Sequence, residues 1–207
     1  MDTNTQHTPG EPARIGPNAI LRVAEALRAG PDAGAIQDVF ERAGLAGYLT
    51  TPPTQMVDER EVTALHQALR AVIGVRQARQ IGVVAGQLTG DYLLANRIPR
   101  PAQWVLKILP RQYALRILLK AIERNAWTFA GSAGFSTQEG PRTRFILEGS
   151  RVCLGVTESP TALCDFYAAT FERLLRKLVD TEVRVIEVQC QSMGHSACVF
   201  EVRSDGQ

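Results

Sequence analysis

The cysteines of this 207-residue chain are the side chains best suited to metal chemistry, and all four lie in its last third. Cys190 and Cys198 are separated by seven residues, and Gly194 gives the loop between them freedom to turn. Cys164 lies one turn into a predicted long helix. Structural disulfides are disfavoured in a reducing cytosol, so clustered cysteines there indicate metal ligands or buried apolar side chains.

Three of these thiolates and one carboxylate could form a tetrahedral zinc site. Cys164, Cys190 and Cys198 would supply the sulfurs and Glu187 the oxygen. A closed shell of four ligands leaves no position for water, so the zinc would be structural and would tie a helix to a hairpin. In a regular strand Glu187 and Cys190 point to opposite faces, so the set requires a bulge or a strand end between them. Two alternatives remain: buried apolar cysteines with Glu187 in solvent, or His195 as the fourth ligand.

The stretch over residues 97–124 concentrates positive charge beside apolar side chains that include Trp104. Its basic residues, set against the single acid Glu123, are Arg97, Arg100, Lys107, Arg111, Arg116, Lys120 and Arg124. A basic amphipathic segment of this kind can meet a membrane surface or an anionic ligand. The alternative is a solvated face whose long side-chain stems cover core residues.

A stripe of small residues runs along the predicted fourth helix. Ala78, Gly82, Gly86 and Gly90 recur every four residues, which places them on one helical face. Each interior glycine costs about 1 kcal/mol relative to alanine, so three of them require a reason. Close approach of another helix is favoured, within the chain or across a dimer. The alternative is a shelf on which a flat ligand lies.

The elements that position these residues follow from periodicity. Residues 1–16 are polar and rich in proline and glycine, which predicts a flexible arm. Apolar residues at helical spacing predict helices over residues 17–30, 36–44, from Asp58 onward, and 76–96. Asp58 and Glu61 resemble a capping box. The first half of the chain is therefore predicted to be helical.

The second half is predicted to be a sheet with one long helix. Alternating side chains and turn residues predict strands over residues 127–135, 143–148, 151–156, 182–190 and 198–203, with a hairpin turn at 149–150. A helix opened by Pro160 interrupts them. The fold class is α+β: N-terminal helices packed with a mostly antiparallel sheet and one long helix. A boundary near residue 125 separates a helical region, 17–125, from an α+β region, 126–203, and the two are expected to form one compact unit.

Composition limits the classes of protein to which the chain can belong. Hydrophobic residues make up 45% and charged residues 21%, which is enough apolar surface for a core. The net charge of +2 gives no indication of a nucleic-acid partner. No apolar stretch is long enough to span a membrane, and no secretory signal is evident. The expected location is the cytoplasm.

The last hairpin also carries a family resemblance. Cys190-x3-Gly194-x3-Cys198-x-Phe200, behind a long helix, resembles the signature that ends the 4-vinyl-reductase domain. This domain also forms the sensory part of phenol-responsive transcription activators, and it shares its fold with TRAPP small subunits. The resemblance implies a TRAPP-small-subunit-like fold and a zinc site with ligands in the order Cys164, Glu187, Cys190, Cys198. Cys153 falls outside this pattern and is expected in the core.

The chain as a whole resembles the bacteriochlorophyll-biosynthesis members of this family, which implies a magnesium tetrapyrrole as ligand. The family is named for reducing a vinyl group of divinyl protochlorophyllide or chlorophyllide. Such a reduction needs a redox cofactor, and the sequence contains no G-x-G-x-x-G after a strand. A non-catalytic carrier or assembly factor for the tetrapyrrole is therefore favoured. The alternatives are a reductase that uses an external reductant, and a ligand-sensing or dimerisation module.

Candidate ligand contacts come from the first half of the chain. The residues that could supply an apolar slot with a basic rim are Gly82, Gly86, Gly90, Trp104, Trp127 and Arg111. His66 could ligate the magnesium axially, although an ordinary core or surface histidine is the favoured interpretation. The implied partners are other bacteriochlorophyll-biosynthesis enzymes and not nucleic acid. A peripheral contact with the cytoplasmic face of the photosynthetic membrane and a homodimer remain open.

Overall fold

The computed structural model describes residues 13–140 and 142–204, so most of the predicted arm lies outside the described residues. The helices in this part of the chain are α1 (Asn18–Ala29), α2 (Ile36–Arg42), α3 (Glu59–Ile73), α4 (Val75–Asn96), α5 (Arg100–Ile108), α6 (Arg111–Arg124), α7 (Trp127–Ala130) and α8 (Asp165–Leu178). The strands are β1 (Arg14–Ile15), β2 (Val57–Asp58), β3 (Gly134–Gln138), β4 (Arg144–Glu148), β5 (Val183–Gln189) and β6 (Cys198–Ser204). None of the described helices is both long and apolar enough to cross a bilayer.

Helices fill the first half of the described chain, as predicted, with one exception at its start. Arg14 and Ile15 belong to the predicted arm but pair with Asp58 and Val57 in a short antiparallel ladder. Asp58 caps α3 by accepting a hydrogen bond from the backbone N–H of Arg60 at 2.8 Å. Glu61 does not complete a capping box, because its carboxylate accepts a hydrogen bond from the Tyr48 hydroxyl.

The main sheet has four antiparallel strands in the order β3-β4-β6-β5, which confirms the α+β class with an antiparallel sheet. Two predicted strands are wrong. Residues 127–130 form the short helix α7, which ends at Gly131 with φ +63°, so that the strand begins only at Gly134. Residues 151–156 form consecutive turns, and β4 pairs with β6 instead. Local alternation cannot distinguish these cases, because a helical turn or a series of turns can carry the same pattern.

Helix α8 lies against the sheet through its aromatic side chains. It begins at Asp165, five residues after the predicted start at Pro160. The Phe171 ring stacks on Phe145 with centroids 4.3 Å apart and meets Phe200 edge-on at 5.7 Å. One hydrophobic cluster contains these rings and the buried side chains of α1 and α3, so the core continues across the predicted boundary near residue 125.

The glycine stripe of α4 is covered by α8 of the same chain. A Cβ on Gly86 would overlap the carbonyl oxygen of Phe166 and lie 2.8 Å from the Cβ of Ala169. A Cβ on Gly90 would lie 2.7 Å from the Arg173 side chain. The two helices are further joined by the ion pairs Arg79–Asp165 and Asp91–Arg173 at 2.8 and 2.7 Å. The stripe is therefore a helix-packing face, and it supplies neither a ligand shelf nor a dimer surface.

This packing predicts opposite outcomes for two alanine substitutions on the same helix face. Gly86→Ala forces the α4 and α8 backbones apart and should lower the free energy of unfolding by about 1–3 kcal/mol. Gly82→Ala places a Cβ at ordinary contact distances, 3.5 and 3.6 Å, and gains helix propensity, so it should be neutral or stabilising by up to about 1 kcal/mol. Urea unfolding of both variants measures the difference. Equal losses at the two positions would contradict the close approach at Gly86.

Candidate metal centre

Four thiols meet at one buried point in the second half of the chain. The Sγ atoms of Cys153, Cys164, Cys190 and Cys198 all lie within 4.8 Å of one another. Cys198 Sγ is 3.6 Å from Cys153 Sγ, 3.6 Å from Cys164 Sγ and 3.8 Å from Cys190 Sγ, and Cys164 Sγ is 4.0 Å from Cys190 Sγ. The four side chains are at most 2% exposed. This cluster could bind a metal ion.

The spacing of the sulfurs matches the requirement of a tetrahedral ion. Zinc–sulfur bonds of about 2.3 Å at tetrahedral angles place neighbouring sulfurs about 3.8 Å apart. The measured contacts of 3.6–4.0 Å lie around that value. Four soft thiolate ligands in this geometry are typical of structural zinc or of iron–sulfur centres.

Cys164 is held at the N-terminus of α8. It is the residue that precedes the helix, and not a residue one turn inside it as the sequence predicts. Its backbone N–H donates to Glu187 Oε2 at 2.8 Å, and its sulfur lies 3.2 Å from the Ser150 hydroxyl. The positive end of the helix dipole therefore faces the cluster and favours a thiolate there.

Cys190 and Cys198 come from the loop between β5 and β6, as predicted. The ladder shifts register between Glu187 and Gln189, which is the irregularity that the sequence required at this place. Gly194 turns the loop with φ +88°. The Gln191 backbone N–H donates to Cys198 Sγ at 3.5 Å, a contact that stabilises a thiolate.

Cys153 is a fourth member of the cluster that sequence reasoning placed outside it. The turns that carry it are fixed by three side chains on one face of α3. Thr63, Gln67 and Arg70 donate to the backbone carbonyls of residues 151, 154 and 152 at 3.1, 3.0 and 2.8 Å. Because these bonds join positions more than 80 residues apart, no local pattern indicates them. The available signal was the presence of a fourth cysteine in the same third of the chain.

Glu187 lies beside the thiols but is not one of the four clustered ligands. Its Oε2 is used by the Cys164 N–H, and its Oε1 is buried with no hydrogen-bond partner in the described residues. Burial, and then the neighbouring Cys190, raise the pKa of this carboxyl to about 9. The structure thus places Cys153 where the sequence placed Glu187. The alternative ligand His195 is exposed on the loop and is not among the clustered groups.

The surroundings of the cluster favour negative charge on it. Arg70 is buried beside the thiols, and its second guanidinium nitrogen has no partner in the described residues. Burial lowers the pKa of Arg70, whereas Cys153, Cys164 and Cys190 raise it. Burial also raises the pKa of the Cys164 thiol, and hydrogen bonds from the other thiols lower that of Cys190. A buried cation requires an anion nearby, and metal-bound thiolates satisfy this requirement.

The predicted ligand contacts do not form one site. His66 is 3% exposed, faces Phe166 edge-on at 6.1 Å and borders a cavity of about 10 Å³, which holds one water molecule at most. A tetrapyrrole therefore has no access to its ring. Trp104 and Trp127 are 64% and 61% exposed, and Arg111 forms an ion pair with Asp180 at 3.1 Å.

A larger opening lies between α4, α5 and α8. It encloses about 560 Å³, and its cationic lining residues are Lys107, Arg173, Arg176 and Lys177. Glu172 and Asp180 are the acidic residues of the lining. Lys107 was noted in the basic stretch, whereas the other three cations lie on α8 and the sequence did not assign them to a site. We call this opening the basic groove.

Comparisons with known proteins agree with the last part of the chain and with its full length. A family model for the 4-vinyl-reductase domain matches residues 143–204, which include the four cysteines and Glu187. The chain is 39% identical to the bacteriochlorophyll synthase 23 kDa chain of Cereibacter sphaeroides, with 100% of both covered. It is 36% identical to the protein of that name from Rhodobacter capsulatus, over 94% of this chain and 89% of the relative. The resemblance stated from the last hairpin is confirmed.

Solved structures share the fold at low sequence identity. An Fe(II) unliganded H-NOX mutant from K. algicida has a TM-score of 0.56 at 10% identity, covering 93% of this chain and 98% of that one. An H-NOX protein from S. oneidensis has a TM-score of 0.52 at 12% identity, covering 93% and 100%. At this identity the likeness concerns the fold alone.

The burial of His66 predicts a loss of stability in weak acid. Burial, and then the nearby Arg70 charge, lower the pKa of His66 to about 3. The unfolded chain, with a pKa near 6.5, binds the proton first, so stability is full above about pH 6.5 and falls toward pH 3. At about 1.4 kcal/mol per pH unit, lowering the pH to about 5 should cost about 2 kcal/mol.

The same substitution compared at two pH values isolates this effect from the titration of the thiols. The loss of unfolding free energy between pH 7 and pH 5, measured with urea, should be smaller in His66→Leu than in wild type. In the control His195→Gln, which changes an exposed histidine, it should match wild type. An unchanged pH dependence in His66→Leu would contradict the assignment.

Proposed function

The chain belongs to the family of the bacteriochlorophyll synthase 23 kDa chains, and we propose that it serves bacteriochlorophyll biosynthesis by carrying a magnesium tetrapyrrole. The names of its relatives support the pathway. The finer proposal has two parts: a structural zinc ion at the cysteine cluster, and a bound intermediate, divinyl protochlorophyllide or a precursor, in the basic groove. Other enzymes of the same synthesis would receive the intermediate.

The zinc part is supported by the chemistry and spacing of the donor set. Cys153, Cys164, Cys190 and Cys198 offer four thiols at tetrahedral distances, and the orphaned guanidinium nitrogen of Arg70 calls for negative charge beside them. Zinc held by four thiolates has no open position for a substrate, so it supplies folding energy. It would join the N-terminus of α8, the β5–β6 loop and the turns that carry Cys153.

The carrier part is supported chiefly by the basic groove. A tetrapyrrole intermediate bears carboxylates on an apolar disc, and lysine and arginine bind carboxylates through charge-assisted hydrogen bonds. The groove volume of about 560 Å³ lies within the range of small-molecule sites. Lys107 and Lys177 form no ion pair within the described residues and are therefore free to meet a carboxylate.

The same lining favours binding over catalysis. Arginine and lysine keep their protons at neutral pH, so they attract an anion but exchange protons poorly. The thiols and His66, which could take part in redox or acid–base chemistry, are enclosed and at most 3% exposed. A substrate in the groove therefore meets side chains suited to holding it.

The zinc proposal predicts about one zinc ion per purified chain. Cys153→Ser should lose zinc and lower the thermal midpoint, because it removes one of four ligands and opens the shell. Glu187→Gln should retain zinc, because its carboxylate accepts a backbone N–H and is not a ligand. Elemental analysis gives the metal content. In the cobalt-substituted protein, the thiolate-to-metal absorption should also fall in Cys153→Ser and stay constant in Glu187→Gln.

The opposite ranking would contradict this ligand set. Loss of zinc in Glu187→Gln with retention in Cys153→Ser would instead support the set Cys164, Glu187, Cys190 and Cys198. A metal-free wild type with full stability would contradict the zinc site altogether.

The carrier proposal predicts that magnesium protoporphyrin binds in the groove. Titration of the purified protein should shift the Soret band at micromolar concentrations. Lys107→Gln combined with Lys177→Gln should weaken binding about tenfold, because two exposed ion contacts of up to about 1 kcal/mol each are lost. The matched control, Arg28→Gln with Arg42→Gln, removes two exposed charges far from the groove lining and should bind as wild type.

Two results would contradict the carrier proposal. One is an unchanged Soret band in wild type, or equal weakening in the groove and control variants. The other is reduction of the vinyl group of divinyl protochlorophyllide when the purified protein is mixed with NADPH or reduced ferredoxin. The second result would establish a reductase.

A further inference from the structure

Helices α5 and α6 expose large apolar side chains that the groove and the metal centre do not use. Trp104 and Ile108 on α5 are 64% and 60% exposed, and Tyr113 and Ile117 on α6 are 52% and 48% exposed. Single exposed apolar residues are ordinary, but four large ones on two consecutive helices are not. We call the exposed side of these two helices the α5–α6 surface.

The apolar residues alternate with cations on the same helical stripes. On α5, Arg100, Trp104 and Ile108 follow one another at intervals of four residues. On α6, Tyr113 and Ile117 are followed on the same stripe by Lys120 and Arg124. Each helix therefore presents rings or branched chains together with positive charge on the side that faces away from the core.

Most of this positive charge is not neutralised. Of the basic residues over 97–124, Arg111 pairs with Asp180 and Arg116 with Glu139. Within the described residues the remaining five form no ion pair: Arg97, Arg100, Lys107, Lys120 and Arg124. All five are exposed. The net charge of the whole chain is only +2, so the excess is local.

We propose that the α5–α6 surface docks this protein on the surface of an anionic lipid bilayer. Tryptophan and tyrosine favour the boundary between headgroups and acyl chains, where an apolar ring and a polar edge are both satisfied. Lysine and arginine beside them are attracted by anionic headgroups. The surface supplies both kinds of group on adjacent helices.

Charge complementarity favours lipid over a second copy of the chain. Two copies that met through this surface would bring ten uncompensated cations together, five from each, and would repel one another. An anionic bilayer satisfies the cations wherever they lie, because its headgroups move laterally to meet them. Docking there would bring the basic groove, which shares Lys107, close to the membrane surface.

The test is cosedimentation of the full chain with vesicles. Wild type should bind vesicles made of equal parts phosphatidylglycerol and phosphatidylcholine, bind pure phosphatidylcholine weakly, and release as salt is raised. Arg100→Gln, Lys120→Gln and Arg124→Gln combined should lower the partition coefficient roughly 100-fold, at about 1 kcal/mol per charge. These three residues lie outside the groove lining, so Soret titration of the same variant should match wild type.

A matched control separates the surface from net charge. Arg28→Gln, Arg42→Gln and Arg76→Gln also remove three exposed arginines without ion pairs in the described residues, and this variant should partition as wild type. Trp127→Phe leaves Trp104 as the sole tryptophan, and its emission should shift to the blue on phosphatidylglycerol vesicles. Both results support insertion of α5 at the interface.

Several outcomes would overturn the proposal. They are absence of vesicle binding, equal losses in the two triple variants, or an unshifted Trp104 emission. Concentration-dependent dimerisation that is lost in the α5–α6 variant and unaffected by vesicles would assign the surface to a second copy. Because pigment binding in solution needs no vesicles, failure of docking and failure of the carrier proposal are distinguishable.

Discussion

Burial of four thiols at one point is the constraint on which the second half of this chain depends. Cys153, Cys164, Cys190 and Cys198 come from three separate segments, and each segment is fixed by its own hydrogen bonds. Four neutral thiols would leave the buried guanidinium of Arg70 without an anion. Metal-bound thiolates would both supply that charge and hold the segments together, so metal binding and folding are expected to be one process here.

Helix α8 connects this centre to the remainder of the molecule. Its N-terminus meets the cluster through Cys164, its middle packs on the glycines of α4 and on the rings of the sheet, and its last turn lines the basic groove with Arg176 and Lys177. Acceptors at the start of the helix and cations at its end also agree with the direction of the helix dipole. A change at the metal centre would therefore displace the same helix that shapes the groove.

Sequence reasoning succeeded where local pattern determines structure and failed where distant contacts do. The period of 3.6 located α1, α3 and α4, and the ligand set correctly required an irregular strand near Glu187. Alternation alone gave false strands over residues 127–135 and 151–156, because side chains of α3 hold the second segment as turns from more than 80 residues away. Cys153 was missed for that reason, and the groove because its lining comes from three helices.

The central claim is that Cys153, Cys164, Cys190 and Cys198 together hold one zinc ion, and X-ray absorption at the zinc edge tests it most directly. Our account predicts a first shell of four sulfurs at about 2.3 Å with no oxygen or nitrogen. A shell of three sulfurs and one oxygen would contradict it by returning Glu187 to the ligand set, and a protein that takes up no zinc would contradict it entirely.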